Sequence, residues 1–174
     1  MDEEHPPADW PFFPLYPLLM RGIHTVFNLN LPLIGFLLSN IFFLGALYVI
    51  FLITEEATGE KKVAEKTIMY LLLFPTSIFF SMVYTESLFL FLSSLVFLFL
   101  FRKKYHWSFL CAALCAITRV PGIVLIGIVF FVLLKESNFR PIKISFRYWA
   151  SAFFSLLPFL SFLFFMYRLT GDFL

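Results

Sequence analysis

Two charged side chains that interrupt long apolar runs are the residues of this sequence best suited to chemistry. Glu86 lies within FPTSIFFSMVYTESLFLF (residues 74–91), and Arg119 lies between CAALCAI and PGIVLIG. A charge in the centre of a bilayer costs on the order of 3 kcal/mol or more, so such residues are usually functional or shielded. A carboxylate in a partly dry pocket can act as a general base, bind a metal ion or a sugar hydroxyl, or pair with a cation. The planar guanidinium of arginine matches the oxygen atoms of a lipid phosphate.

Structural roles also explain these residues, and the sequence leaves them open. Glu86 can begin a helix, where its charge favours the helix dipole and Thr85 can cap the first turn. Arg119 can extend to the membrane interface or pair with Glu86. The run WPFFPLYP (residues 10–17) can be an interfacial aromatic belt.

The composition indicates an integral membrane protein. Of 174 residues, 61% are hydrophobic, 27 are phenylalanine and only 14% are charged, which excludes an ordinary soluble domain. The net charge of +2 is too small to indicate binding to nucleic acid. Cys111 and Cys115 fall on one face of one helix and are predicted to pack there. His5, His24 and His106 are too scattered to predict a metal site.

Segment lengths predict where the chain crosses the membrane. A span needs about 20 apolar residues, and residues 33–53 meet that requirement. The polar stretch 54–66 is predicted to be a loop. Residues 67–101 would form a helix about 52 Å long, which overshoots the bilayer. We therefore expect a hairpin there, with Pro75 loosening the incoming helix and the turn at YTES, residues 84–87.

The distribution of basic residues decides how residues 107–134 are arranged. They are either one tilted span or a pair of short helices folded at TRVPG, residues 118–122. A pair brings three connections to one side, and these hold 10 of the 13 basic residues, as cytoplasmic loops do. The connections are residues 54–66, 102–104 and 135–147. The pair is therefore favoured, and a last span at 148–167 returns the chain to the opposite side.

These segments predict one transmembrane domain over residues 1–174. It is an all-α polytopic bundle of about six membrane segments, including two short hairpins, with the membrane helices at 33–168. Residues 1–32 are predicted to form an extracytoplasmic loop and, from Pro17 onward, a short interfacial helix with Arg21 and His24 on one face. Glu86 and Arg119 fall on the same, non-cytoplasmic side.

Four motifs resemble the PIG-V-type mannosyltransferase family in their order and spacing. They are WPFFPLYPLLMR, LLFPTSIFFSMVYTESLFLFLSSLVFLFL, AITRVPGIVLI and LLPFLSFLFFMYRLTGDFL, and FFPLYP is closer to the prokaryotic branch. The resemblance implies the GT-C fold and transfer of mannose, or another hexose, from a polyprenyl or dolichyl phosphate sugar to a lipid-linked or surface glycan acceptor. The acceptor hydroxyl attacks the anomeric carbon with inversion, a carboxylate in the first outer loop is the base, and the lipid phosphate leaves.

The resemblance also implies site residues. The matched positions are Phe12, Phe13, Pro14, Tyr16 and Pro17 in the first motif, Tyr84, Glu86 and Ser87 in the second, and Arg119 and Gly122 in the third. Of these, substrate contact is expected from Phe12, Pro14, Tyr16, Tyr84, Glu86, Ser87 and Arg119, together with Asp172 near the last residue. Glu86 is also the candidate catalytic residue. No metal ligand is predicted, and a need for a divalent metal is left open.

Two departures from the family pattern set further expectations. Family members have another membrane helix and an aspartate-tyrosine loop ahead of FFPLYP, and they continue through several helices beyond TGDFL. The chain is therefore expected to be about half of an enzyme, with its base upstream of residue 1, and not to transfer sugar by itself. The expected partners are the bilayer and a membrane subunit, in a prokaryotic cell membrane or in the endoplasmic reticulum of a eukaryote. The alternatives are a small transporter or flippase subunit, with Glu86 and Arg119 as a gating pair, and a non-catalytic membrane partner.

Overall fold

The computed structural model describes residues 13–170, apart from the side chains of Lys143, Leu169 and Thr170. All regular secondary structure in this range is helical. The α-helices are α1 (Leu15–Phe27), α2 (Leu31–Thr58), α3 (Lys61–Leu73), α4 (Glu86–Phe101), α5 (Tyr105–Ala116), α6 (Gly122–Glu136) and α7 (Phe146–Thr170). Short 3₁₀ helices lie at Pro75–Ser81 and Pro141–Lys143.

Two of the described helices are long and apolar enough to cross a membrane. They are α2 and the part of α7 from Phe146 to Arg168, and α3 with the 3₁₀ helix Pro75–Ser81 makes a third if that bent pair is one span. Only 6% of the apolar window of α7 is buried inside the protein, so most of its surface needs an apolar environment. α4 and α5 are apolar but shorter, with 16 and 12 residues. The all-helical class agrees with the sequence, whereas six membrane segments and the GT-C fold stay predictions.

The bundle has two chemically different ends. At one, which we call the charged end, α2 leads into α3, α4 into α5 and α6 into α7. Arg102 Nε donates a hydrogen bond of 3.0 Å to Glu56, and Lys103 Nζ lies 3.4 Å from a carboxylate oxygen of Glu136. The opposite end, which we call the cleft end, holds the first residues of α4 and α6. The three basic connections therefore share one end, as the charge distribution predicted.

Helix α5 is the centre of the packed core. It contacts α4, α6 and α7, and its CAALCA sequence lets these neighbours approach closely because the side chains are small. Phe109 and Cys115 on α5 are almost completely buried, as are Val96 on α4 and Val129 on α6. Cys111 is also buried and both cysteines are free, which agrees with the predicted packing role.

Gly122 makes the turn between α5 and α6 possible. A Cβ atom at this position would lie 2.2 Å from the backbone carbonyl carbon and oxygen of Cys115. Backbone cannot move aside as a flexible side chain can, so α6 begins against the last turn of α5 only because residue 122 has no side chain. The break predicted at residues 118–122 is confirmed, with α5 ending at Ala116.

The predicted polar loop at residues 54–66 is wrong, because most of it is helical. α2 continues to Thr58 and α3 begins at Lys61. The chain reverses through Gly59, which has φ of 71° and whose N–H bonds to Glu55 O. Alanine, glutamate and lysine favour helices, so the polar residues extend helices beyond the apolar run instead of ending them.

Residues 67–101 are broken into separate helices, as predicted, but two details of that prediction are wrong. Pro75 does more than loosen a helix, because α3 stops at Leu73 and the 3₁₀ helix that begins with Pro75 is bent from α3 by 84°. Helix α4 begins at Glu86 as expected, but the side chain of Thr85 makes no capping hydrogen bond. Its backbone has φ of −79° and ψ of −7°, whereas a capping side chain needs an extended backbone.

We predict that Gly122→Ala destabilises the bundle by about 1–3 kcal/mol, because its Cβ must push backbone apart. Gly127→Ala on the same helix is the matched control, since nothing lies within 4 Å of a Cβ built there. The control variant should be unchanged or up to about 1 kcal/mol more stable, because alanine favours a helix over glycine. Unfolding of both variants in one detergent measures the difference, and equal stability would refute the turn's dependence on Gly122.

Candidate functional site

A cleft of about 350 Å³ opens at the cleft end of the bundle. Its walls come from three separate segments of the chain: Phe13, the residues Tyr84–Glu86, and the residues Thr118–Pro121. Each segment belongs to a different one of the motifs singled out in the sequence. The fold thus brings FFPLYP, YTES and TRVPG to one place.

An ion pair between α4 and the α5–α6 turn forms the polar part of this cleft. Arg119 Nη1 donates a hydrogen bond of 2.7 Å to Glu86 Oε1. The two side chains stay partly accessible, at 41% and 31% exposure respectively. Of the roles left open by the sequence, the structure therefore shows two, the mutual pairing and Glu86 as the first residue of a helix.

The pair keeps unused hydrogen-bonding capacity. Glu86 Oε2 is buried and has no hydrogen-bond partner among residues 13–170. Arg119 uses one guanidinium nitrogen for Glu86 and is otherwise free of side-chain hydrogen bonds within the described residues. A buried carboxylate oxygen without a donor is costly, and a rotation of the Glu86 side chain toward the cleft would let this atom accept a hydrogen bond.

Local backbone structure explains why both charges are held here. Glu86 is the first residue of α4, where its negative charge interacts favourably with the helix dipole. Arg119 lies in the tight α5–α6 turn, where its N–H bonds to Cys115 O at 3.0 Å and its carbonyl accepts from Gly122 N at 2.9 Å. The start of α4 fixes the backbone of Glu86, and the α5–α6 turn fixes the backbone of Arg119. The ion pair between their side chains joins these two segments.

Tyr16 links the first motif to the wall of the cleft. Its hydroxyl donates to Gly35 O at 2.9 Å and lies 2.7 Å from Ser39 Oγ, and Ser39 in turn donates to Tyr84 O at 3.5 Å. Burial raises the pKa of the Tyr16 phenol above its ordinary value, so the hydroxyl stays protonated and can donate. Tyr16 is only 4% exposed and does not line the cleft. Tyr16 therefore supports the cleft wall in this structure, and its contact with a substrate stays a prediction.

A backbone hydrogen bond joins the first motif to the third. Leu15 N donates to Ile117 O at 3.3 Å, directly before the turn that carries Arg119. Pro14, another predicted contact residue, precedes α1, and its carbonyl accepts from Leu18 N at 3.0 Å. The start of α1 is thus bonded to the α5–α6 turn, and among the described residues of this motif Phe13 lines the cleft.

The structure places the other residues predicted to contact substrate in different environments. Tyr84 lines the cleft and is 45% exposed, which suits contact with a ligand. Ser87 is 1% exposed, does not line the cleft, and its Oγ has no hydrogen-bond partner among the described residues. Phe12 and Asp172 lie outside the described residues. Whether any of these side chains binds substrate stays a prediction.

Two small residues on α2 were missed by the sequence reasoning although they support the site. Ser39 is fully buried beneath the YTES segment, and a Cβ on Gly35 would lie 2.3 Å from Val83 Cγ1. The signal was present, because Gly35 and Ser39 are four residues apart in an apolar helix, the small-xxx-small spacing of closely packed membrane helices. Thr118, also missed, lines the cleft and donates to Leu114 O.

The cleft offers little to a metal ion. Within residues 13–170 no group of three or more histidine, cysteine, aspartate and glutamate side chains lies together. Glu86 supplies one carboxylate, and its Oε1 already accepts from Arg119. The chemistry supported by the described residues is therefore that of a single carboxylate beside a guanidinium.

The length of α4 sets the distance between the two ion pairs. Its 16 residues rise about 24 Å from Glu86 to the Glu56–Arg102 ion pair at the charged end. This distance is shorter than the hydrocarbon layer of a membrane, which is about 30 Å thick.

No protein-family model matches this chain, and no curated protein or solved structure matches it either. The resemblance to PIG-V-type mannosyltransferases therefore rests on the sequence motifs alone. Its implications for activity enter below as a proposal.

We predict that Arg119→Gln destabilises the protein by about 1–3 kcal/mol, because it leaves the partly buried Glu86 carboxylate without a cation. The double variant Glu86→Gln/Arg119→Gln should recover part of that loss, since no unpaired charge remains. Equilibrium unfolding of the two single variants and the double variant gives the coupling energy. The same cycle on the Lys103–Glu136 pair, whose side chains are 73% and 40% exposed, is the control and should give at most about 1 kcal/mol. Strictly additive effects at Glu86 and Arg119 would refute the coupling.

Tyr16→Phe is expected to cost about 1–2 kcal/mol, because it leaves the buried Ser39 hydroxyl with only its long contact to Tyr84 O. Tyr70→Phe, at an exposed tyrosine of α3, is the control and should change stability by less than about 0.5 kcal/mol. Amide hydrogen exchange should also become faster at residues 82–85 in Tyr16→Phe only. Unchanged exchange there would show that Tyr16 does not support the cleft wall.

Proposed function

We propose that this protein is a membrane glycosyltransferase of the PIG-V type. In this proposal it moves mannose, or another hexose, from a polyprenyl or dolichyl phosphate sugar to a lipid-linked or surface glycan acceptor. The supporting observation is that Glu86 and Arg119, from two of the matched motifs, pair in one cleft that Phe13 of a third motif also lines. The fold of the complete site would be of the GT-C type, with about six membrane segments in this chain.

Arg119 is proposed to bind the phosphate of the lipid-linked sugar. Its guanidinium is partly exposed, and one nitrogen already points at Glu86, which orients the planar group. The other nitrogens can donate two parallel hydrogen bonds to phosphate oxygens. Glu86 then has a free oxygen, Oε2, to accept a hydrogen bond from a sugar hydroxyl. Together the two residues recognise the phosphate and the sugar of one ligand.

The proposed reaction is a displacement at the anomeric carbon. The acceptor hydroxyl oxygen forms the new bond to that carbon, the bond from the carbon to the phosphate oxygen breaks, and its electron pair leaves with the lipid phosphate. Arg119 stabilises the charge that develops on the departing phosphate. The hydroxyl proton passes to a carboxylate, for which Glu86 Oε2 is the candidate among the described residues and an upstream aspartate is the one implied by the family resemblance.

A transporter or flippase subunit is the alternative, with Glu86 and Arg119 as a gating pair. Such a path needs polar groups across the membrane. Between the ion pair and the charged end, α4, α5 and α6 carry no aspartate, glutamate, lysine or arginine until Lys135. This uncharged interior supports a site open from one side over a path through the bundle.

The proposed setting is a multi-pass protein of a prokaryotic cell membrane, or of the endoplasmic reticulum membrane in a eukaryote. The concentration of basic residues at the charged end supports a cytoplasmic location for that end. The cleft then opens on the extracytoplasmic side. A membrane partner subunit remains part of the proposal.

Binding of a photoreactive polyprenyl phosphate mannose in phosphatidylcholine nanodiscs tests this function. Arg119→Gln should weaken binding by about 10- to 100-fold, and Arg119→Lys should restore only part of it, because an ammonium lacks the planar fork. Glu86→Gln should weaken binding of the mannosyl lipid more than that of the lipid phosphate without sugar.

Glu56→Gln is the control for this experiment, because it removes an exposed carboxylate at the charged end and should not change binding. Unchanged binding of the mannosyl lipid in Arg119→Gln would refute the proposed function. An equal loss in Glu56→Gln would also count against it, since the effect would then be general electrostatics or misfolding.

A further inference from the structure

The connection between α6 and α7 carries positive charge that acidic side chains do not balance. Residues 135–147 contain four basic residues and one acidic residue, Glu136, and no further aspartate or glutamate occurs before Asp172. Glu136 already contacts Lys103 of the α4–α5 connection. Within the described part of the chain, the exposed side chains of Arg140 and Arg147 form no ion pair and no hydrogen bond.

The other two connections at the charged end are largely compensated. Residues 54–66 hold four acidic and three basic residues, so their net charge is slightly negative. In the α4–α5 connection, Arg102 pairs with Glu56, and Lys103 lies 3.4 Å from a carboxylate oxygen of Glu136. The positive charge of this end is therefore concentrated on the α6–α7 connection.

Large apolar side chains alternate with the cations of this connection. Ile142 and Phe146 are 97% and 82% exposed, the two highest values for large apolar side chains among the described residues. Phe139 is exposed as well, and its ring lies against that of Phe131 on α6, with centroids 6.2 Å apart. Side chains of this kind are unfavourable in water and favourable at the boundary between head groups and acyl chains. Basic and apolar residues in one segment are typical of an element that lies on a membrane surface.

The start of α7 places residues 139–147 next to lipid head groups. α7 begins at Phe146, and its part from Phe146 to Arg168 is long and apolar enough to cross a membrane. Trp149 follows in the first turn, and tryptophan is enriched where a span meets the head groups. The phosphates of the lipid leaflet are therefore the anions nearest to Arg140 and Arg147.

We propose that residues 139–147 bind anionic phospholipid at the charged end of the bundle. Arg140 and Arg147 contact the phosphates of lipids that carry a net negative charge, and Ile142 and Phe146 extend between the head groups toward the hydrocarbon. Phosphatidylcholine offers the same apolar environment without net charge, so the cations make this segment prefer anionic lipid. The inference does not depend on the proposed function, because the cleft lies at the opposite end of the bundle.

Trp149 can report which lipids surround this segment. The sequence has three tryptophans, so Trp10→Phe and Trp107→Phe together leave Trp149 as the only one. This parent protein is placed in phosphatidylcholine nanodiscs that all contain the same small fraction of phosphatidylglycerol. Bromine is carried by the chains of the phosphatidylglycerol or by those of an equal amount of phosphatidylcholine, and quenching of tryptophan fluorescence is measured.

Brominated phosphatidylglycerol should quench Trp149 more strongly, with a relative affinity about three- to tenfold above that of phosphatidylcholine. Arg140→Gln/Arg147→Gln should remove most of this preference, whereas Arg140→Lys/Arg147→Lys should keep it because the charge is retained. Lys61→Gln/Lys62→Gln is the matched control, since it removes the same charge from the compensated α2–α3 connection and should leave the preference unchanged.

A fluorophore sensitive to polarity tests the apolar part of the proposal. Cys111 and Cys115 are buried, so the label reacts with a cysteine introduced by Ile142→Cys. The label at residue 142 should report an apolar environment, whereas the same label on Lys62→Cys should report water. Equal, water-like signals at the two positions would show that Ile142 does not enter the lipid layer and would overturn the proposal.

Three further results would also overturn it. The first is equal quenching of the parent protein by the two lipids. The second is an equal loss of preference in Lys61→Gln/Lys62→Gln, because the effect would then follow the total charge of the protein. The third is equal quenching together with a polyglutamate peptide that binds the parent but not Arg140→Gln/Arg147→Gln, which would assign the segment to an acidic protein partner.

Discussion

The hydrogen-bonded ion pair between Glu86 and Arg119 is the interaction on which the architecture of the cleft depends. Each residue interrupts an apolar run that is otherwise free of charge, and neither charge is tolerable alone close to hydrocarbon. Pairing at 2.7 Å offsets part of that cost, but only where the start of α4 meets the α5–α6 turn. The two apolar runs must therefore be interrupted at the same end of the bundle, so that Glu86 and Arg119 can meet. Those two breaks produce short helices and, between them, the cleft.

Supporting contacts fix the two breaks from opposite sides. Gly122 lets α6 start against the backbone of α5, which holds the turn that carries Arg119. Tyr16 and Ser39 hold the YTES segment against α2, and the backbone bond from Leu15 N to Ile117 O ties α1 to the turn. Leu15 and Tyr16 of the first motif thus hold the cleft walls in place.

The lengths of the apolar runs and the placement of the charged residues are enough to predict several features of the fold. The break at YTES, the break at TRVPG and the start of a helix at Glu86 all follow from apolar runs too long for one span and from the placement of basic residues. Features that depend on contacts between residues far apart in the sequence could not be predicted. Pro75 predicts a disruption but not an 84° bend, and the spacing of Gly35 and Ser39 predicts a close helix contact but not that Tyr16 bonds to both. The polarity of residues 54–66 predicts a loop, whereas their alanine, glutamate and lysine residues favour the helices that the structure has there.

We propose that a lipid phosphate binds at Arg119 in the cleft. A structure of this protein in a phosphatidylcholine nanodisc with a bound polyprenyl phosphate sugar tests that claim most directly. We predict phosphate oxygens within hydrogen-bonding distance of the Arg119 guanidinium, about 2.7–2.9 Å. A phosphate bound elsewhere, with the Glu86–Arg119 cleft unoccupied, would contradict this proposal.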